Sequence, residues 1–515
     1  MKASDRPAIA VGQKPLTVED VLALAHGRAR ATLDADPTLR ARIRKSHEQL
    51  TRLLGSAGNV YGVTTGFGDS CENAVPQDLA LQMPRNLMRF HGCGTGRTLG
   101  QTEAAAVLAV RLAALSRGYS GVREALLERL CALLEHRLLP LIPEEGSVGA
   151  SGDLTPLSYV AALLAGEREA LRDGQVVDGA RALREAGLEP LTLGPKESLG
   201  VMNGTSVMTA LGCVAFERAR RLAKLASVVT AMASDAMRGE PAHFDDRIFA
   251  LKPYPGQRLC ARWIREHLEY DPKQGRTANR IQDRYSIRCA PHVIGVLLDA
   301  LPWMRRTLEI ELNSANDNPL VDPETGEILH GGNFYGGHVC FAMDGLKSAV
   351  ANLADLLDRQ MALMCTPHFS NGLPANLIAI TGPERVAHHG FKAMQISMSA
   401  LTAEALKLTM PASVFSRSTE CHNQDQVSMG TIASRDALRV LELTETVAVI
   451  GLLATCQAAD IRGVDTMRRR TREVHAAVRE RVSVNRADRR QDVDIHAILA
   501  ALREDRLPLG ALEEP

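Results

Sequence analysis

Four long stretches of helical pattern, at 208–237, 293–312, 338–364 and 435–461, limit what these 515 residues can fold into more than any other feature. Each approaches or exceeds about twenty residues, against roughly 10–14 in an ordinary globular helix. Elements of that length point to an extended bundle, so the chain is expected to be mostly α. Pro302 is expected to kink the second helix. Shorter patterns at 104–115 and 122–139 are rich in Ala, Leu, Glu and Arg and end near Gly or Pro. Strand signals are few and short. The expected division is a small mixed N-terminal part, 1–205, followed by the long-helix bundle, 206–515, with a charged helical tail.

The unusual residues fall between the helical segments. Residues 61–68, 90–96, 146–155, 203–205, 285–288, 313–319, 331–337 and 421–429 are loop segments, many of them rich in Gly and Asn, and functional residues concentrate on such segments. Sixty basic residues are balanced by sixty acidic ones, so no net field favours nucleic acid or an anionic membrane. The Arg468-Arg469-Arg470 run, with Arg472, Arg479, Arg481, Arg489 and Arg490, reads as a solvated helix face or a subunit contact. Ten cysteines without C-x-x-C or metal spacing read as reduced thiols, and His388-His389 offers no metal site. The N-terminus lacks the apolar stretch of a signal peptide and no uncharged run reaches membrane-spanning length, so a soluble cytoplasmic protein is expected.

One loop carries distinctive chemistry. Gly149-Ala150-Ser151-Gly152-Asp153 is a run of minimal side chains before Leu154-Thr155-Pro156. Attack of the Gly152 amide nitrogen on the Ala150 carbonyl carbon, with loss of two waters, would turn the backbone into a ring bearing an exocyclic methylidene. That group is an electrophile no side chain provides. Gly152 tolerates the strained dihedrals, Ala150 crowds little, and Ser151 carries the hydroxyl that must leave. Thr155 is expected as N-cap and Pro156 as first residue of a helix whose positive end faces the electrophile. A small-residue turn before a helix is more often only a turn, so this reading needs the other motifs.

They supply it. Tyr61-Gly62-Val63-Thr64-Thr65-Gly66-Phe67-Gly68, Gly149-Ala150-Ser151-Gly152-Asp153-Leu154, Asn203-Gly204-Thr205, Tyr285-Ser286-Ile287-Arg288, Asn313-Ser314-Ala315-Asn316-Asp317-Asn318-Pro319, His330-Gly331-Gly332-Asn333-Phe334 and Asn423-Gln424-Asp425 stand in one order along the chain. Over residues 20–465 this order resembles that of the histidine, phenylalanine and tyrosine ammonia-lyases. The resemblance implies their long-helix fold, a methylidene-imidazolone (MIO) cofactor made from Ala150-Ser151-Gly152, and a homotetramer with active sites lined by several subunits. It implies Tyr61 as base for the substrate β-proton, Arg288 as the grip on the carboxylate, and Tyr285 as assistant near the amine. Asn203 and Gln282 match polar positions around the ring, Phe334 an aromatic packed near it, and Asn316 a residue near the carboxylate. Gly68 and Asn423 join the substrate-binding set by the same match. A covalent electrophile that captures the amine makes it a better leaving group and leaves orientation and proton transfer to the protein.

Substrate choice falls on Phe90-His91. The phenylalanine enzymes resemble Phe-Leu at this pair, the familiar tyrosine enzymes His-Leu and the histidine enzymes Ser-His; Phe-His matches none of them. A neutral His91 imidazole can hydrogen-bond a para-hydroxyl. Gln424 stands where histidine lyases carry a glutamate, which argues against histidine. The leading expectation is a lyase converting an aromatic amino acid, L-tyrosine first and L-phenylalanine as a further substrate, to the trans-arylacrylate and ammonia. Histidine ammonia-lyase, an aromatic 2,3-aminomutase and an inactive helical scaffold stay open as alternatives, and the intact set Tyr61, Ser151, Asn203 and Arg288 speaks against the last. Gly92-Cys93-Gly94-Thr95-Gly96 lacks the preceding strand and spacing of a nucleotide loop and reads as a flexible lid or turn.

Overall fold

The computed structural model describes residues 6–55, 60–76, 79, 81–274 and 280–514. Residues 1–5, on which part of the N-terminal reading rests, lie outside the described residues. The four long patterns are the helices Ser206–Ala236, Ala290–Leu312, Gly337–Cys365 and Gly430–Arg462, close to their expected ends. Pro302 lies within the second, which continues through it. Burial explains their length: in the last helix Ala433, Ala437, Val440, Leu441, Thr444, Val447 and Ala448 repeat at three- and four-residue spacing and are all buried. The fold is mostly α, as expected. No helix among the described residues is long and apolar enough to cross a membrane.

The chain divides into two compact units. The first comprises residues 1–215, 304–344 and 411–435, the second residues 216–303, 345–410 and 436–515. The expected boundary at 205 falls inside the first unit, because the helix beginning at Ser206 carries the chain on to residue 215 before the second unit begins.

In the first unit, four small sheets flank the helices among the described residues. Ala8–Val11 pairs in parallel with Arg30–Leu33, and Leu139–Pro140, Glu169–Arg172 and Gln175–Asp178 form an antiparallel ladder. Thr95–Thr98 pairs with Pro143–Glu145. Of the segment 92–96, read as a flexible lid or turn, Thr95 and Gly96 instead belong to this strand, which is paired with its neighbour. The helix Met83–Phe90 packs against both Leu154–Leu164 and Glu197–Met202.

In the second unit, Arg218 donates twice to Glu445 at 2.8 Å, and the buried Gln360 amide donates to Thr230 Oγ1 and to the Ser286 carbonyl at 2.9 Å. The tail contains the helices Arg469–Arg479 and Asp492–Arg503. Its arginines are not a bare solvated face. Arg479 pairs with Asp460 at 2.6 Å, Arg489 with Asp494 at 2.7 Å and Arg490 with Asp492 at 2.5 Å.

Candidate active site

The segment around Ser151 is an irregular turn under constraint. Gly149 (φ +80°), Ser151 (φ +50°) and Gly152 (φ +78°) all occupy the left-handed region, which costs an L-residue such as serine of order 1–2 kcal/mol. Two hydrogen bonds hold it there. The Gly204 N–H donates to the Ser151 carbonyl at 3.1 Å, and the Asp153 N–H donates to the Gly204 carbonyl at 2.8 Å. The two strands of chain lie so close that a Cβ on Gly152 would collide with the Gly204 carbonyl, and one on Gly204 with Arg111 and Asn316. Both glycines are therefore required by space as well as by dihedral angle.

Asp153 anchors this turn from beneath. It is fully buried, and its Oδ2 accepts the Val207 and Met208 N–H groups at 2.9 Å, the free donors of the first turn of the long helix at Ser206. Its Oδ1 accepts the hydroxyls of Ser147, at 3.2 Å, and Thr431. Burial pushes its carboxyl up to about 6, against the pull of those donors. The expected cap is corrected here. The helix starts at Leu154 with Asp153 at the N-cap position and Thr155 and Pro156 already inside; the Asp153 carboxylate serves the neighbouring helix instead of its own.

Above the turn, the Gln424 side-chain amide donates to Ser151 Oγ at 3.3 Å, while Gln424 Oε1 accepts from Thr419 Oγ1 at 3.1 Å. Gln424 is held by a tight bridge in which Thr419 and Gln424 exchange backbone hydrogen bonds. Asn423 is exposed beside it, its N–H donating to the Glu420 carbonyl. The Glu420 carboxylate accepts the Asp69 N–H at 2.7 Å and abuts Gly68, where an added Cβ would meet it. Gly68, at φ +57°, donates its N–H to the Tyr61 hydroxyl oxygen at 2.7 Å. Burial raises the Tyr61 phenol above its ordinary value, the Gly68 N–H opposes this, and Glu420 adds to the rise. The Tyr61 ring meets His330 edge-on at 6.4 Å.

Asn203 is buried, with its carbonyl accepting from Arg111 at 2.8 Å and its Oδ1 without a partner. Asn316 lies in the interior, and its amide donates to Thr205 Oγ1 at 2.9 Å, which in turn donates to Glu311 at 2.6 Å. Phe334 lies half-buried in the loop that follows Ile328–Leu329.

Phe90 ends the helix Met83–Phe90 and is 59 % exposed; His91 is half-buried at its C-cap, the two rings 4.3 Å apart. His91 Nδ1 is 3.1 Å from the Leu87 carbonyl. A carbonyl only accepts, so Nδ1 carries the hydrogen and Nε2 presents a lone pair. Burial lowers the imidazole's pKa, which favours this neutral form. His91 thus presents a ring acceptor at the end of a helix that packs directly on the one following the triplet.

Gln282, Tyr285 and Arg288 form their own cluster in the second unit. Residues Tyr285–Arg288 make a single helical turn, and the Arg288 guanidinium lies 4.7 Å from the Tyr285 ring centroid. Arg288 Nε donates to the Asp283 carbonyl at 3.1 Å and Nη2 to Gln282 Oε1 at 3.2 Å. Gln282 and Tyr285 are exposed. The first unit thus brings together Tyr61, Gly68, Ser151, Asn203, Asn316 and Gln424 with their supports, and the second holds the cation and its neighbours. Sequence reasoning gave no role to Asp153, Arg111 or Glu420. A signal existed for Arg111, the one charge inside Ala104-Ala105-Ala106-Val107-Leu108-Ala109-Val110-Arg111-Leu112-Ala113-Ala114-Leu115, but none for Glu420, whose carboxylate meets the Asp69 N–H 351 positions away.

Residues 16–480 match the family described as aromatic amino acid lyase. The histidine ammonia-lyase of Symbiobacterium thermophilum is 38 % identical over 493 residues, 96 % of each chain, and that of Anaeromyxobacter sp. (strain K) 39 % over 505 residues, 96 % of this chain and 98 % of the relative. Among solved structures, tyrosine aminomutase from Streptomyces globisporus is similar at a TM-score of 0.89 with 37 % identity, covering 96 % of this chain and 97 % of that one. Pantoea agglomerans phenylalanine aminomutase reaches the same TM-score at 30 % identity, covering 99 % and 100 %.

Proposed function

The chain belongs to the aromatic amino acid lyase family, and from that premise we propose that it is an ammonia-lyase acting on L-tyrosine, and on L-phenylalanine as a further substrate, to give the trans-arylacrylate and ammonia. The observation that carries the catalytic part is the constrained turn: Ser151 at φ +50° between two left-handed glycines, its carbonyl tied to Gly204 and its hydroxyl reached by Gln424. Ala150-Ser151-Gly152 fits the MIO group. Gly152 is pressed against Gly204 with no room for a Cβ, and Asn203 Oδ1 is buried with no partner beside them. When formed, the group supplies the electrophile that turns the substrate amine into a better leaving group.

The remaining work belongs to side chains. Tyr61 takes the β-proton; the Gly68 N–H on its oxygen stabilises the phenolate that burial disfavours. Arg288, with its planar fork, binds the substrate carboxylate, flanked by Tyr285 and Gln282. Tyr285 is 72 % exposed, which suits a residue completing a site shared between subunits of a homotetramer. Ten free cysteines support a reducing, cytoplasmic setting.

His91 carries the substrate choice. Its Nε2 accepts a hydrogen bond, so it matches the phenol O–H of tyrosine. A second reading is favoured by a specific fact: the relatives named above are histidine ammonia-lyases, and an imidazole N–H also donates to Nε2. Against it, Gln424 offers an amide where a charged imidazole partner calls for a carboxylate. Specificity constants for tyrosine, phenylalanine and histidine separate these readings; the highest value for histidine would sink the tyrosine assignment. Chiral analysis of the product for a β-amino acid tests the aminomutase alternative.

A further inference from the structure

Arg111 is a buried charge whose donors are mostly unmet. It sits on the helix Gln101–Leu115, whose residues from Ala104 onward are all buried, and is itself 0 % exposed. Its only hydrogen bond among the described residues runs from Nη1 to the Asn203 carbonyl, and Nε and Nη2 have no partner. An arginine serving only packing would satisfy its five donors or be replaced by an apolar side chain of similar length. Burial lowers its pKa to about 10, with Asp317 and Asp153 opposing, so it stays cationic at neutral pH.

The carbonyl that Arg111 holds belongs to the peptide group joining Asn203 to Gly204. The opposite end of that peptide group is the Gly204 N–H, which donates to the Ser151 carbonyl at 3.1 Å. A cation on the oxygen of a peptide strengthens its N–H as a donor, because linked hydrogen bonds polarise one another in a low-dielectric interior. Two hydrogen bonds therefore connect a buried positive charge to the carbonyl of Ser151.

We infer that Arg111 is a positioning residue for self-modification of the triplet, acting through the Asn203–Gly204 peptide to polarise the Ser151 carbonyl. This rests on the reading of Ala150-Ser151-Gly152 as the MIO precursor. Ring closure joins Gly152 N to the Ala150 carbonyl carbon; that oxygen leaves as water with the amide hydrogens of Gly152 and Ser151, leaving a C=N bond. The second water takes the Ser151 hydroxyl and the Ser151 Cα hydrogen, leaving the methylidene. The Cα hydrogen is adjacent to the Ser151 carbonyl, so polarising that carbonyl acidifies it. No oxidant or reductant is needed.

The test is the mass of the peptide spanning residues 150–152, taken from purified full-length protein whose folding is checked by circular dichroism and thermal melting. Arg111→Met is expected to fold and to mature about tenfold or more slowly, the scale of one charge-assisted hydrogen bond, so that at a fixed time most chains retain both waters. Arg111→Lys, which keeps the cation, is expected to recover most of the maturation. A folded Arg111→Met that loses both waters like the wild type would overturn the role. Should Arg111→Met fail to fold, Arg111→Gln decides: complete water loss overturns the role, retained water supports it. Wild-type protein that keeps both waters would instead sink the MIO reading itself.

Discussion

Gln424 donates its side-chain amide to Ser151 Oγ at 3.3 Å across 273 positions of sequence. The hydroxyl proposed to leave is thus met by a donor whose own side-chain oxygen accepts from Thr419. Ser151→Ala removes the leaving group while adding no bulk to a turn already fixed by Gly204 and Asp153. The variant is expected to melt close to the wild type, to show no loss of two waters by mass, and to lose turnover by about 10³-fold or more.

Tyr61→Phe keeps the ring against His330 and deletes only the hydroxyl that accepts from Gly68. Maturation of the triplet is expected to be unchanged by mass, while turnover falls by roughly 10²- to 10⁴-fold. The phenol's pKa is raised, chiefly by burial. The phenolate proposed as base therefore grows as pH rises, and the rate is expected to climb on the alkaline side. That limb should be absent from the Phe variant's pH profile.

His91 offers an acceptor only while neutral. Burial lowers its pKa from the ordinary 6.5, so tyrosine binding should hold below that value and weaken only when Nε2 gains a proton at lower pH. Measured as KM across pH, the rise is expected for tyrosine and not for phenylalanine. His91→Leu should shift the tyrosine-to-phenylalanine preference by roughly 10- to 100-fold toward phenylalanine.

The long helices were legible because burial repeats at helical spacing, as at Ala433, Ala437, Val440 and Leu441. The segments around Tyr61, Ser151, Asn203 and Gln424 stood out as glycine- and asparagine-rich interruptions, and the structure gathers all four in the first unit. What local sequence hides is where a side chain spends its hydrogen bonds. Thr155 and Pro156 spell a helix start, yet the helix begins earlier and Asp153 turns to Val207 and Met208, 54 and 55 positions away. Thr95–Thr98 has no strand pattern of its own and becomes one only through Pro143–Glu145. Nothing local to Asn316 announces the hydrogen bond it makes to Thr205, 111 positions away.

Asp153 makes a pH-dependent contribution whose sign is fixed by its raised pKa. The carboxyl rises from 3.8 to about 6 on folding, so the folded protein holds its proton more tightly. The stability this confers is complete below about pH 4 and is lost as pH rises through about 6. Asp153→Asn can keep the Val207 and Met208 bonds through its carbonyl and donate to the rotatable hydroxyls of Ser147 and Thr431. Denaturant unfolding across that window is expected to show the decline in wild type and a flatter profile in the Asn variant.

The most direct measurement is a spectrophotometric panel of L-tyrosine, L-phenylalanine and L-histidine on the purified wild-type protein, read as specificity constants for arylacrylate or urocanate release. Tyrosine is expected to give the highest value, with phenylalanine turned over more slowly and histidine lowest. A highest value for histidine, or no acrylate from any of the three, would contradict a tyrosine lyase whose substrate choice is set by the His91 acceptor.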